Sequence, residues 1–439
     1  MRYYHPEQYT IIMKNQSLKY IIYIIGLLIL ILGPLYAFTK DDVLSSYDLS
    51  NHKFNYSRPC KQLYWKYEEM IAIRNNLGEK PYKVAYEKLL STADLYLKQP
   101  NLSIVDDKEH IPVSGDIHDY MSIARYTWPD TIKADGLPYI TRDCYTNPEY
   151  YTYDREVMLK MIERVKIFTL AWFYGGDAKY ANAALKQLKV WFIDDDSYMK
   201  PSMEYGQIHK GLHNDHGTQG GVLEAEAFVD LIDPLCLLEK YKNLESQRCI
   251  KKIKQWYRQL LEWELSSNQG LSLSKAPDNC GTAYDLQILS FSSYCGDRKL
   301  AQAVIDKFAE KRINKQINDS GVQIEEVKRA ISYGYSVANI TVMTNFIVIA
   351  HNLKYSVDKS ALSKYYKAID YLTPYLDENA EWPYYDITSM PYYRKRLCFE
   401  LFRVAKVIDA SRLDYIEIYE KYGKLSDNDV NNLLYITGK

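Results

Sequence analysis

The chain has no excess of charge of either sign: 55 Lys and Arg stand against 56 Asp and Glu, a formal net charge of -1. No global field gathers nucleic acid or another polyanion, so an acidic ligand has to be met by a local cleft. The seven cysteines, at 60, 144, 236, 249, 280, 295 and 398, include no C-x-x-C pair, which argues against a zinc knuckle or a redox motif. G-x-S-x-G, a Walker loop and a dinucleotide fingerprint are also missing, and with them go serine hydrolases, nucleotide enzymes and Rossmann oxidoreductases. No sustained strand alternation and no fixed-length repeat occurs, and the second absence weakens a regular solenoid. Phenylalanine is scarce, 11 residues beside 43 tyrosines. Tyrosine rings stack on sugars while their hydroxyls take hydrogen bonds, although most serve as ordinary helix packing.

Long apolar runs are confined to one, Tyr20 to Ala37, which follows Lys14 and Lys19 and ends Leu35-Tyr-Ala37. It reads as a signal peptide with a small-residue cleavage site or as an uncleaved membrane anchor, since about 20 apolar residues span a bilayer. Either reading exports the rest of the chain to the periplasm or cell surface and permits disulfides of undetermined pairing. The expected organisation is a targeting segment over 1–37, a polar linker over 38–60 and one domain over 61–439.

What is present is helical period. Apolar residues recur at three and four through 61–74, 82–98, 154–175, 179–194, 224–243, 246–265, 297–317, 337–351, 360–375 and 395–421. Short turns such as Gly175-Gly-Asp177 and Gly296-Asp297 join them in pairs. The fold class is all-α: stacked helical hairpins that close into an α/α toroid or stay open as a solenoid. Two long non-helical stretches, 110–150 and 200–222, and a shorter one, Ser274 to Thr282, interrupt the helices. Long loops of this kind in a helical domain are usually functional.

Candidate chemistry lies in and near those loops. Gln323 to Asn339 carries Arg329, Tyr333, Tyr335 and Asn339. On one helix Tyr335 and Asn339 share a face, whereas Arg329 lies six before Tyr335, so Gly334 is expected to mark a bend or a helix start. A buried amphipathic helix with a snorkelling arginine is the alternative. His209, His213 and His216 have spacings that invite a metal, but Gly211, Gly217, Gly220 and Gly221 oppose a continuous helix there, and a polar substrate loop is favoured over a metal site. His118-Asp119-Tyr120 sets an imidazole beside a carboxylate, equally the mark of a hydrogen-bonded structural loop. Glu325-Glu326 and Asp194-Asp-Asp196 are carboxylate groups such as an α/α glycoside hydrolase needs, and on helices these are more often solvated charges.

Taken in order, Ser114-Gly-Asp-Ile-His-Asp-Tyr-Met-Ser122, Trp128-Pro-Asp130, Gly136-Leu-Pro-Tyr139, Asn147-Pro-Glu149, Glu204-Tyr-Gly-Gln207, Gly281-Thr-Ala-Tyr-Asp-Leu-Gln287, Glu326 to Asn339 and Glu381-Trp-Pro-Tyr384 form one pattern. It resembles the alginate lyase family of polysaccharide lyases over nearly all of 61–420. The resemblance implies an incomplete (α/α) toroid and β-elimination in a uronic-acid polymer, with no metal or nucleotide cofactor. By motif position it implies Tyr335 as the proton-transfer residue, with Tyr333 less favoured, and Arg329 and Asn279 as neutralisers of the uronate carboxylate. The family pattern Asn-Asn-His-Gly-Thr-Trp-Tyr-Asp is departed from at Asp278-Asn-Cys-Gly-Thr282, where Cys280 stands for the histidine and Ala283 for the tryptophan. His216 from the other loop then supplies the imidazole, or Tyr335 makes both proton transfers, or the protein binds acidic polysaccharide without cleaving it. His118, Tyr120, Trp128, Asn214, Tyr284 and Trp382 are the expected substrate-binding residues. The expected partner is an acidic polysaccharide, not nucleic acid, with a membrane contacted only through the N-terminal run.

Overall fold

Glycine turns set the hairpins. In the computed structural model, which describes residues 39–56, 61–388 and 390–436, the helix Asp154–Gly175 ends on Gly176 at φ 76°, and Asp177 caps the next helix, Ala178–Phe192, by accepting from the Lys179 amide. The same device recurs where Asn279–Cys295 ends on Gly296 at φ 93° and Asp297 caps Arg298–Phe308. A residue without a Cβ enters the left-handed region freely, and an aspartate takes an orphan amide of the following helix. The expected targeting segment, 1–37, lies outside the described residues.

Helix packs on helix around the molecule. Tyr82–Leu97 lies on Asp154–Gly175, Leu244–Ser266 on Asn279–Cys295, Asn279–Cys295 on Ser332–Asn352, and Ser332–Asn352 on Pro391–Arg403, which carries Leu413–Tyr422. The C-terminal turn Val430–Leu433 returns to Tyr82–Leu97. Outer helices are amphipathic: Arg298–Phe308 buries Leu300, Ala301, Val304, Ile305 and Phe308, one face at helical spacing. Each of these side chains other than alanine contributes roughly 1.5–3 kcal/mol when withdrawn from water. Inner helices are buried all round, and in Asn279–Cys295 every residue from Gly281 to Ser292 is inside. Ser332–Asn352 is long and apolar enough to cross a membrane, yet 83% of its most apolar window is buried inside the protein.

Several expected boundaries move. The helix Asn279–Cys295 falls where a loop and no helix were expected, because a helix enclosed on all sides has no apolar stripe to detect. The expected helix over 224–243 is three pieces, Gln219–Glu224, Ala225–Leu231 and Ile232–Leu238. At the start of the third, Asp233 turns its buried carboxylate to the backbone amides of Leu63, Tyr64 and Trp65. The expected linker is not a spacer over its described part: Lys40–Ser45 is helical, and Val43, Leu44, Tyr47 and Leu49 enter the main core.

That N-terminal segment braces the site. The Tyr47 hydroxyl donates to Asp285 Oδ1 at 2.5 Å, and Arg312 grips the same carboxylate through Nε and Nη2 at 2.8 and 3.0 Å. Burial works against charge on Asp285, but Arg312 and Lys311 outweigh it and hold its carboxyl below the ordinary range. Arg312 also donates to the carbonyls of Ser274 and Ala276, tying down the third loop just before Asn279. A Cβ at Gly281 would collide with the Ala276 carbonyl and the Arg312 guanidinium, so this close approach requires glycine.

The two long loops are stitched together by short strands. Met121–Ile123 pairs in parallel with Tyr205–Ile208, and Thr127–Trp128 pairs antiparallel with Ile140–Thr141. Beneath them, buried Glu224 receives the hydroxyls of Tyr120, Ser122 and Tyr150 and the Gln207 amide. Four donors satisfy a carboxylate that burial alone would penalise.

Candidate active site

Tyr335 stands in the first turn of Ser332–Asn352, so the expected helix start lies between Arg329 and Tyr335. Asp386 caps this end by accepting from the Tyr333 amide at 2.9 Å, and Trp382 Nε1 donates to Ser332 Oγ at 2.7 Å. Gly334 is needed for space here: a Cβ would lie 2.6 Å from the Tyr393 ring. Before the helix, Arg329 follows the short turn Glu326–Lys328 in extended conformation and folds back over Tyr335. Its guanidinium lies 3.8 Å from the Tyr335 ring centroid, and its Nη2 donates to the Tyr335 hydroxyl at 2.9 Å. A second phenol, Tyr126, sits 3.1 Å from the Tyr335 oxygen.

Arg329 is already paired. Its Nε and Nη2 meet Asp143 at 3.2 and 2.6 Å, a fork on a carboxylate, while Nη1 makes no hydrogen bond among the described residues. The Arg329 hydrogen bond holds the Asp143 carboxyl below its usual range. Burial raises the Tyr335 phenol far above its ordinary value, and Tyr126 adds to this, so the lowering expected from Arg329 is outweighed. Tyr335 is a neutral phenol across the physiological range.

Glu326, three residues before Arg329, receives Asn279, which opens its helix 47 residues earlier in the chain. Its backbone amide donates to Glu326 Oε1 at 2.6 Å and its Nδ2 to Oε2 at 2.8 Å. Glu326 is 1% exposed, and burial pushes its carboxyl up to about 7, against the hydrogen bonds from Asn279. It is therefore not the solvated charge expected of Glu325-Glu326. Cys280 points its thiol toward Asn279 Oδ1 at 3.7 Å. Burial, Asp278 and Glu326 raise that thiol far above its ordinary value, with Arg329 opposing them, so it stays protonated and offers no base.

The other expected residues are dispersed. His216 sits on the second loop with Nδ1 on Glu204 Oε1 at 2.9 Å and its ring against Tyr205, sharing no partner with Tyr335. It borders a cavity of about 800 Å³ with Glu204, His213, Trp263 and Gln269. Asn214 is exposed in the adjoining turn. His118 stacks on Tyr198 and bonds its carbonyl at 2.7 Å. Trp128 donates to the Tyr145 carbonyl and lies under Arg142, half-exposed. Trp382 packs among Tyr333, Tyr371, Tyr375 and Tyr384.

Two expected substrate contacts are corrected. Tyr120 is 1% exposed with its hydroxyl on Glu224, and Tyr284 is fully buried with its hydroxyl on the Glu264 carbonyl, so neither ring faces a cleft. Both are held inside because their hydroxyls find acceptors there. Tyr333 is also fully buried, against Trp382, which leaves Tyr335 as the accessible phenol of the pair. Asn339 shares no opening with Tyr335: it is buried, donating to Gln316 and Gln323. Tyr126 and Asp143 were not singled out by sequence, and Glu326 only as half of a carboxylate pair for a hydrolase, not as a partner of Asn279. Glu326 carried a signal, three residues before Arg329, but Asp143 is 186 residues from its partner.

Known proteins share this arrangement's framework. A family profile described as alginate lyase matches residues 103–382, the span that holds Tyr126, Asp143, Asn279, Glu326, Arg329 and Tyr335. The chain belongs to the alginate lyase family. A crystal structure of an alginate lyase from Bacteroides ovatus is similar to this alginate lyase family member at 31% identity and a TM-score of 0.81, over 86% of this chain and 100% of that one. No curated protein sequence matches it. Family and neighbour together support a polysaccharide lyase with the α/α toroid fold.

Proposed function

We propose that this lyase cleaves a uronic-acid polymer, alginate or a glucuronan-like chain, by β-elimination, with Tyr335 transferring the proton. The observation that carries the reading is the guanidinium of Arg329 donating to the Tyr335 oxygen at 2.9 Å. Elimination removes the proton alpha to the carboxylate, builds an enolate and expels the glycosidic oxygen. A neutral phenol is the acid that protonates such a leaving oxygen. Arg329 Nη1 and the remaining Asn279 Nδ2 hydrogen are the donors for the uronate carboxylate, stabilising negative charge where it develops. His216 is the proposed base: Glu204 holds Nδ1 and orients the ring, leaving Nε2 to take the proton. Trp128, His118, Asn214 and Trp382 are the proposed sugar contacts.

Export is proposed from the apolar run Tyr20 to Ala37, and the disulfide-bonded state of Cys236 supports an oxidising compartment. The partner is then an extracellular or periplasmic acidic polysaccharide, with a membrane contact only through that run. A second reading, a protein that binds such a polymer without cleaving it, is favoured by one observation: the protonated thiol of Cys280 supplies no base at the start of its helix. Ultraviolet absorbance of the conjugated double bond decides between them, measured over alginate, glucuronan and glycosaminoglycans. A rise on one polymer establishes elimination and names the substrate; a flat trace across the panel from folded protein, with binding retained, leaves the binding reading.

A further inference from the structure

We propose that Glu326 is a positioning residue for the elimination: its buried carboxylate clamps Asn279 from both its backbone and its side-chain nitrogen and so aims the carboxamide at the uronate. The inference rests on the lyase reading and deepens it. Glu326 has no ion-pair partner among the described residues, and it is too enclosed to touch a polymer. A buried carboxylate without a cation is costly and contributes nothing to apolar packing. Among the described residues its carboxylate takes hydrogen bonds from one residue, Asn279, through N at 2.6 Å and Nδ2 at 2.8 Å. The geometry leaves Asn279 a single orientation: one Nδ2 hydrogen is spent on Glu326, Oδ1 faces the Cys280 thiol, and the second Nδ2 hydrogen remains for a ligand.

The clamp is also sensitive to protonation. Two donors need two acceptor oxygens, and a protonated carboxyl turns one of them into a hydroxyl that serves an N–H poorly. Around Glu326, Asp278 favours its protonated form and Arg329 opposes that, and the Cys280 thiol, kept protonated, also lies within its field. With the carboxyl raised to about 7, the clamp tightens as pH climbs through neutrality.

The test is steady-state kinetics of the full chain on the polymer it cleaves, for wild type, Glu326→Gln, Glu326→Asp, Asn279→Ala and the Glu326→Gln/Asn279→Ala double variant. Glutamine has the shape but only one acceptor oxygen. Glu326→Gln is expected to lower kcat about tenfold or more with KM changed less than about twofold, the loss of one charge-assisted hydrogen bond. Wild-type kcat/KM is expected to rise with pH through neutrality more steeply than that of Glu326→Gln, with Glu326→Asp keeping the wild-type slope; the rise that Glu326→Gln retains belongs to the base and not to the clamp. The double variant is expected to be no slower than Asn279→Ala, since Glu326 acts through Asn279. A Glu326→Gln enzyme with wild-type kcat overturns the inference, as does an additive double variant. If Glu326→Gln does not melt cooperatively, the wild-type profile decides: no ionisation between about 6 and 8 overturns the clamp. No product from wild type on any polymer removes the lyase reading itself, a different failure from an active enzyme indifferent to Glu326.

Discussion

The site has two halves that solve the same electrostatic problem in opposite ways. Around Tyr335, charge is balanced in partial contact with water: Arg329 and Asp143 form a fork whose side chains are 26% and 42% exposed. Around Asn279, a carboxylate is buried with no ion-pair partner among the described residues and is held by the amide donors of Asn279. The exposed pair can yield a partner to an arriving carboxylate at little cost, because solvent screens it. The buried carboxylate cannot move, so it suits a fixed direction. In the proposed mechanism, proton chemistry sits on the adaptable half and aim on the rigid half.

The comparison breaks most visibly at Tyr335. Tyr335→Phe removes the proton and the oxygen that Arg329 holds, and turnover is expected to fall by about 10² to 10⁴, with binding measured by calorimetry nearly intact. Arg329→Lys comes next: an ammonium cannot fork onto Asp143 while also reaching the phenol, and kcat/KM is expected to drop about a hundredfold. Asp143→Asn then separates the halves. Its cost to thermal stability is expected to be below about 1 kcal/mol, as for exposed pairs, while kcat/KM falls several-fold because Arg329 loses its orientation; a large loss of stability would mean that this half is rigid too.

On the buried side, the sign of the pH effect sharpens the contrast. Glu326 has a folded-state value of about 7 against an ordinary 4.5, so the native protein binds this proton where the unfolded chain has released it. Stability therefore falls as pH rises between those values. Glu326→Gln is expected to show a smaller fall in Tm over that window than wild type, by scanning calorimetry at matched ionic strength; equal slopes would refute the assignment. The smallest effect belongs to Cys280→Ser, expected to keep activity within about threefold, because the thiol makes one long contact of 3.7 Å and is not ionised.

Much of the framework was legible without coordinates. Arg298–Phe308 and Lys359–Leu372 face solvent on one side, so their apolar residues fall at helical intervals, and the first is marked by the Gly296-Asp297 turn before it. Arg329 and Tyr335 were legible as a pair because six residues separate them and a helix start brings one back over the other. The Asn279 helix was not, since Asp285, Gln287, Ser290 and Ser292 lie inside it with Leu286, Ile288 and Phe291, and no periodic contrast survives. Residues 40–49 read as polar because their few apolar side chains are spaced for a single turn of contact. Tyr120 and Tyr284 carried the expected ring chemistry, but their direction depended on where Glu224 and the Glu264 carbonyl lay.

By itself the sequence determined the all-α hairpin class, the family and the Arg329–Tyr335 pair, because these rest on local period, turn chemistry and motif order, all of which are written in neighbouring residues. Tertiary structure alone decided that Asp143 occupies the Arg329 fork, that Tyr126 meets Tyr335 and that Glu326 is buried on Asn279. Those contacts join segments 47 to 209 residues apart, and burial, which sets whether a carboxylate is a solvated charge or a clamp, exists only once the helices around it have packed.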